Sequence, residues 1–283
     1  TRLFEKAAPS IVLNTTGFAV SQPGAERRET AFDTLNCPIL QVILGGSTRN
    51  AWQANVQGLL PKDLAMNVVL PEVDGRILSR AISFKSEARY DAETEISVAH
   101  HEAAPDRITF VAEMARNWIR LREEPTASRR IAVILANYPN KDGRLGNGVG
   151  LDTPASAIKL LNALAKEGYA VTNIPEGGNA LMRRLSIGPT NALQYRHLRQ
   201  GGVRFAQMDY QKFFSSLPKE LRRTVTKRWG DPKKDPFVVG SDFLLPVLDL
   251  GNVVVAVQPA RGYNIDPSES YHDPGLPPPH GYI

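Results

Sequence analysis

The run Ser10-Ile11-Val12-Leu13-Asn14 is short, apolar and closed by a polar turn, and Pro38-Ile39-Leu40-Gln41-Val42-Ile43-Leu44 is a longer one bounded by Gly45-Gly46. Neither alternates, which predicts strands covered on both faces, as in a parallel sheet. From Asp106 to Arg122 the positions Ile108, Val111, Ala112, Ala115, Ile119 and Arg122 fall at helical spacing, and Pro105 suits the first helical position. Glu123-Glu124-Pro125-Thr126-Ala127-Ser128 breaks that pattern and marks a boundary near residue 125.

The pattern then restarts. Ile131-Ala132-Val133-Ile134-Leu135-Ala136 predicts a buried strand, and a Gly-rich loop over 137–152 follows it. A helix is expected to begin with Thr153 as N-cap and Pro154 as first residue, to bury Ala157, Ile158, Leu161, Leu164 and Ala165, and to stop at Gly168. Tyr169-Ala170-Val171 is expected as the next strand, completing a βαβ unit. Further on, Glu220 to Trp229 predicts a basic surface helix, and Asn252 to Val257 a central strand entering the loop 258–266.

These elements predict the α/β class: two open, mainly parallel-sheet α/β domains with flanking helices, over 1–125 and 126–283. A length of 283 residues agrees with two domains at about 150 residues each. With 42% apolar and 22% charged residues the composition is globular, which excludes disorder and low complexity. A lone Cys37 excludes a disulfide framework and Cys-rich metal sites, so a reducing compartment, the cytoplasm, is expected. The most apolar stretch, 237–260, is interrupted by Asp242, Pro246, Asp249 and Asn252, and no membrane span is expected. A start at Thr1 without Met or signal pattern, and an end at Pro279-His280-Gly281-Tyr282-Ile283, predict an internal fragment of a longer polypeptide.

Charge divides unevenly. Residues 1–125 carry 14 basic against 16 acidic side chains, net −2, and residues 126–283 carry 20 against 13, net +7. The basic half favours a polyanionic partner. Its cations are scattered pairs (Arg183-Arg184, Arg222-Arg223, Lys233-Lys234) without interleaved aromatics, so nucleic acid is not expected.

The candidate chemistry sits in two loops. The loop 137–152 leaves the carboxyl end of a strand and enters a helix N-terminus, where α/β sheets bind ligands. Its glycines permit close backbone approach, and Asn137, Arg144 and Asn147 offer donors to carboxylate or phosphate oxygens. The alternative is a long loop whose Asp142 and Asp152 make only local turns. Gly143 to Gly148 has P-loop spacing, but Val149 stands where lysine belongs. The second loop holds Arg261, Tyr263, Asn264 and Asp266, followed by His272, Asp273 and His280 in a Pro-rich stretch. Imidazole suits cobalt, nickel or zinc, with Asp273 as ligand or acceptor; otherwise His272 and His280 only satisfy backbone carbonyls. His100-His101-Glu102 reads as a surface turn before a helix, His197 as a surface or packing residue, and Cys37 as a buried small hydrophobe.

Three stretches carry a resemblance: Ala136-Asn-Tyr-Pro-Asn-Lys-Asp-Gly-Arg-Leu-Gly-Asn-Gly-Val-Gly-Leu-Asp-Thr-Pro-Ala-Ser156, Gly251-Asn-Val-Val-Val-Ala-Val-Gln-Pro-Ala-Arg-Gly-Tyr-Asn-Ile-Asp266, and Tyr271-His-Asp-Pro with Pro-Pro-His-Gly-Tyr282. Together with Asp63-Leu-Ala-Met and Leu70-Pro-Glu-Val-Asp-Gly75, they make the chain resemble the large-subunit family of aerobic cobaltochelatase (CobN) and magnesium chelatase, over essentially its whole length. That resemblance implies a ligase forming nitrogen–metal bonds, which inserts cobalt(II) into hydrogenobyrinic acid a,c-diamide in cobalamin biosynthesis. It also implies that ATP is used by two AAA+-type partner subunits and is not bound here, and that the fragment alone is inactive. On this basis His272 and His280 are the expected catalytic residues, and His272, Asp273 and His280 the expected metal residues. Asn137, Arg144, Asn147, Arg261 and Tyr263 are the expected substrate-binding residues. A magnesium-type subunit and a glycosyltransferase-like sugar-nucleotide module are the alternatives.

Overall fold

A computed structural model describes residues 6–55, 58–86, 89–137, 142–263, 273 and 275–283, without the side chains of Tyr195 and His197. The chain divides into two compact units, Thr1–Glu124 and Pro125–Ile283.

The first unit is built on a four-stranded sheet in the order Val12–Asn14, Ile39–Thr48, Ile77–Lys85, His101–Ala103. The first three strands are parallel and the last is antiparallel. The expected run at 38–44 continues through both glycines to Thr48, and the Gly46 N–H donates to the buried Asp63 carboxylate at 2.8 Å. The helix Pro105–Glu123 starts at the expected proline, with Asp106 in its first turn and Arg120 and Arg122 in its last, which suits the helix dipole. Val111 and Ala115 form its buried stripe, and it packs on the strand Ile77–Lys85. At the edge between Val12–Asn14 and Ile39–Thr48 lies a buried polar cluster. Asn14 Nδ2 donates to Gln41 Oε1 at 2.7 Å, while Arg76 bonds Thr16 O at 3.0 Å and pairs with Asp74 at 3.3 Å. Asp74 also accepts from the Val20 and Ser21 amides at 2.8 and 3.1 Å, so this charge is well partnered.

In the second unit Ile131–Leu135 pairs parallel with Val253–Val257, and Val247–Asp249 adds antiparallel on the other side. The helices Thr153–Lys166 and Gly178–Ile187 contribute Leu161, Leu181 and Leu185 to a core with Leu135, Val253, Val255 and Val257. The opposite face is more open, with Ile134 55% exposed. The helix cap is Asp152, one residue before the expected Thr153, because its carboxylate accepts from the Ala155 amide at 3.0 Å.

The mixed α/β class with parallel-strand sheets is as the sequence predicts; two details differ. Tyr169-Ala170-Val171 is not a strand. Only a bridge between Val171 and Gly251 forms, through the bonds Thr172 N–H to Leu250 O and Asn252 N–H to Ala170 O. The parallel partner of Ile131–Leu135 therefore comes from Val253–Val257, over a hundred residues on. The unit also carries a second, antiparallel sheet, Val203–Ala206, Asp242–Leu245 and Val238–Val239, that periodicity did not reveal. The helices Gln207–Ser216 and Lys219–Trp229 supply Tyr210, Phe214 and Val225 to its core with Phe237 and Phe243. Among the described residues, no helix is long and apolar enough to cross a membrane.

Leu161 is fully buried between helix and sheet while its neighbour Leu160 is 45% exposed. We expect Leu161→Ala to lower unfolding free energy by about 2–5 kcal/mol, and Leu160→Ala by much less, in urea denaturation followed by circular dichroism.

Candidate functional site

The site is set by two strand ends. Val257 pairs with Leu135 in parallel register, and the Gln258 N–H donates to Leu135 O at 2.8 Å. The loops beginning at Ala136 and Gln258 therefore leave the same edge of the sheet, where α/β folds accept ligands. Asn191 ties the second loop down: its Nδ2 donates to Gln258 O at 2.9 Å and its Oδ1 accepts from the Ala260 amide at 3.0 Å. The first loop folds back through the Gly146 N–H, which donates to Ala136 O at 2.8 Å with Gly146 at φ +65°, a backbone that glycine adopts freely. Asp142 is not confined to a local turn. It pairs with Arg199, whose guanidinium also reaches the carbonyls of Ser186 and Gly188.

The expected binding residues fall into different environments. Arg144 and Asn147 are exposed on the first loop. Asn137, two residues past the strand, is 1% exposed, and among the described residues neither its Oδ1 nor its Nδ2 has a hydrogen-bond partner. Arg261 is half-buried and its Nη2 donates to Asp273 O at 3.4 Å and Leu276 O at 3.3 Å, so it braces the turn at 273–276. Tyr263 donates to Asp235 Oδ2 at 2.6 Å, and the Gly281 amide reaches both that oxygen at 3.2 Å and Tyr263 Oη at 3.0 Å. A Cβ on Gly281 would lie 2.7 Å from Tyr263 Oη and 2.8 Å from the Phe237 ring, so only glycine fits this crossing. The structure thus joins Arg261 to Asp273, and Tyr263 to the segment that holds His280. His272 lies outside the described residues.

His280 departs from the expectation of a metal-facing imidazole. It is 2% exposed, with Nδ1 2.8 Å from Tyr210 Oη and Nε2 3.0 Å from Gly230 O. A carbonyl only accepts, so Nε2 carries the hydrogen and Nδ1 accepts from the Tyr210 hydroxyl. Both nitrogens are committed, and the rings of Phe214 and Tyr210 meet His280 edge-on at 5.1 and 5.7 Å. The reading in which this histidine satisfies a backbone carbonyl fits the geometry; a metal ligand would need a free lone pair. Asp273 is exposed and its Oδ1 accepts from the Gly275 amide at 2.8 Å. Among the described residues no group of three His, Cys, Asp or Glu side chains is arranged to hold a metal ion. His100 and His101 bond Ser86 and Ser83 hydroxyls at 3.3 and 3.2 Å, and Cys37 is half-buried with its thiol pKa pushed up by burial.

Sequence reasoning missed three residues here: Arg196, Tyr210 and Asp235. Arg196 is 3% exposed, donates to Thr190 O at 2.8 Å and stacks 3.7 Å from the centre of the Phe237 ring. Among the described residues its Nε and Nη2 lack hydrogen-bond partners, and burial lowers its pKa to about 10. Burial raises the Asp235 pKa, outweighing the hydrogen bonds from Tyr263, Phe237 N–H and Gly281 N–H that oppose it. Burial, and then the Asp235 charge, push up the pKa of Tyr263 and likewise of Tyr210. In the sequence, Asp235 before Pro236 signals only a turn, and the turn is real: Asp235 Oδ1 accepts from the Phe237 amide at 2.7 Å.

A family model described as CobN/Magnesium Chelatase matches residues 1–283. The chain belongs to this family. It is 54% identical over 281 residues to the aerobic cobaltochelatase subunit CobN of Sinorhizobium sp, covering 99% of this chain and 22% of that protein. The subunit of the same name from Pseudomonas aeruginosa is 46% identical over 280 residues, with the same coverage. The catalytic subunit of cobaltochelatase from Mycobacterium tuberculosis superposes with a TM-score of 0.80 at 34% identity, covering 100% of this chain and 24% of that one. The chain therefore spans about a fifth of the length of the curated CobN relatives it matches.

The raised Asp235 pKa has a definite sign in stability. Above the ordinary value of 3.8 the unfolded carboxyl gives up a proton that the folded one keeps, so this group's contribution falls as pH rises, then levels once folded Asp235 ionises. We expect the stability of the parent relative to Asp235→Asn to decline from about pH 4 upward, measured by urea denaturation across a pH series. A difference that rises over that range would refute the assignment.

Proposed function

We propose that this chain is part of the tetrapyrrole-carrying large subunit of an ATP-dependent cobaltochelatase. The reaction is formation of nitrogen–metal bonds, with cobalt(II) inserted into hydrogenobyrinic acid a,c-diamide in cobalamin biosynthesis. The observation that carries this reading is the 54% identity to a CobN subunit along 99% of the chain. The shared edge of the 136 and 258 loops supports it, as does the net charge of +7 over residues 126–283, which suits a polycarboxylate.

In this reading the exposed Arg144 and Asn147 meet peripheral carboxylates of the macrocycle from one loop, and Arg261 does so from the other. A guanidinium forms paired, charge-assisted hydrogen bonds with a carboxylate. Arg261 holds the 273–276 turn with one nitrogen and keeps further donors for substrate. Tyr263, fixed by Asp235, sets the path of the loop that carries Arg261. His280 stiffens the segment through Tyr210 and Gly230, which leaves His272, beside Asp273, as the imidazole that passes cobalt or accepts a pyrrole proton. A corrin carries one inner N–H, so insertion of cobalt(II) releases one proton and leaves a net positive charge on the metallated ring; such an acceptor takes that proton. ATP hydrolysis belongs to two AAA+-type partner subunits, whose closure drives the strained complex toward metallation.

The test is fluorescence titration of hydrogenobyrinic acid a,c-diamide into the full-length subunit. Arg144→Ala and Arg261→Ala should each weaken binding about five- to tenfold, the size of one partly screened charge-assisted hydrogen bond. Unchanged affinity in both variants would remove these residues from the site. In reconstituted assays with both partner subunits and ATP, cobalt(II) should be inserted in preference to magnesium, and the reverse preference would overturn the metal assignment.

A further inference from the structure

We infer that Asn137 recognises a primary carboxamide on the bound substrate and so selects for an amidated tetrapyrrole. The inference rests on the tetrapyrrole reading and adds to it the functional group that one residue reads. Asn137 is 1% exposed, and among the described residues both its Oδ1 and its Nδ2 are without a partner. Buried polar atoms are almost always bonded, and each one left unmet costs stability. An apolar side chain would avoid that cost, so the amide marks a place where a partner arrives from outside the described residues.

The required partner both donates and accepts. The side chain presents N–H donors on one atom and acceptor lone pairs on the other. A carboxylate can only accept and an ammonium can only donate. A primary carboxamide does both, in a reciprocal pair with the Asn side chain. The place also fits: Asn137 lies two residues past Leu135, whose carbonyl takes the Gln258 amide, at the carboxyl ends of the two parallel strands. By its name, the a,c-diamide carries two carboxamides where the parent acid has carboxylates. Asn137 is closed off from solvent here, so a carboxamide reaches it only when the side chain becomes accessible. A bound water also donates and accepts, and the experiment separates the two.

The experiment titrates hydrogenobyrinic acid and its a,c-diamide, separately, into the full-length subunit and its Asn137→Leu variant, with thermal unfolding of each unliganded protein. The parent should bind the diamide at least about tenfold tighter than the acid, since a site built to pair a polar group discriminates strongly against its absence. Asn137→Leu should bring that ratio to within about twofold without lowering the unfolding temperature, because it removes an unmet amide and not a satisfied one. A preference retained in the variant, with a lowered unfolding temperature, would overturn the inference and assign Asn137 to a structural water or to another part of the polypeptide. Should Asn137→Leu not fold, Asn137→Ala carries the same comparison, and a preserved ratio there is equally fatal. Failure of the parent to bind either tetrapyrrole is a different result: it removes the reading on which the inference rests.

Discussion

The parallel register that sets Leu135 beside Val257, carried one step further by the Gln258 amide on Leu135 O, is the constraint on which the second unit depends. It brings together two segments more than a hundred residues apart and sends both following loops out of one edge of the sheet. On the covered face, Leu161, Leu181 and Leu185 bury against Leu135, Val253 and Val255, so the register is held by core packing as well as by the ladder. A slip of one residue would turn the inward-facing side chains of the slipping strand to the wrong face. The position of Asn137, Arg144 and Arg261 relative to one another follows from this pairing before any of them meets a ligand.

The second organising feature is the concentration of buried polar groups beside that edge. Asp235 accepts three hydrogen bonds and still has a raised pKa, because desolvation of a carboxylate outweighs them. Arg196, of opposite charge, is also buried, and it rests on Phe237 and the Thr190 carbonyl with two nitrogens unmet. A unit selected for stability alone would replace such groups by apolar ones. These groups lie next to loops that leave a common edge, and they give Tyr263 and Gly281 their fixed crossing. The polar cluster of the first unit is different in kind: Asp74 there has an Arg76 partner and two amides, and acts as a structural joint.

Much of the fold was legible wherever the signal was local. The helices Pro105–Glu123, Thr153–Lys166 and Lys219–Trp229 announce themselves by a 3.6-residue stripe and by prolines near their starts. The strands at 39, 131 and 253 are continuous apolar runs. Ile77–Lys85 was not legible, because Ser79, Arg80 and Ser83 break its apolar pattern; Ser79 spends its hydroxyl on Gln41 O at 2.7 Å, a bond visible only once the two strands are neighbours. Tyr169-Ala170-Val171 has the composition of a strand and forms only a bridge, because its partner at 250–252 is a short turn and offers no longer ladder.

The amino-acid order by itself determined the α/β class and the family to which the motifs belong. What lay beyond it was the fate of individual polar side chains. Whether an imidazole is open to a metal or closed by two hydrogen bonds depends on Tyr210, 70 residues from His280, and Tyr263 owes its orientation to Asp235, 28 residues away. Burial and partnership are properties of distant segments brought into contact, and no periodicity along the chain encodes them. Only the tertiary structure could show that His280 is committed and that Asn137, among the described residues, is not.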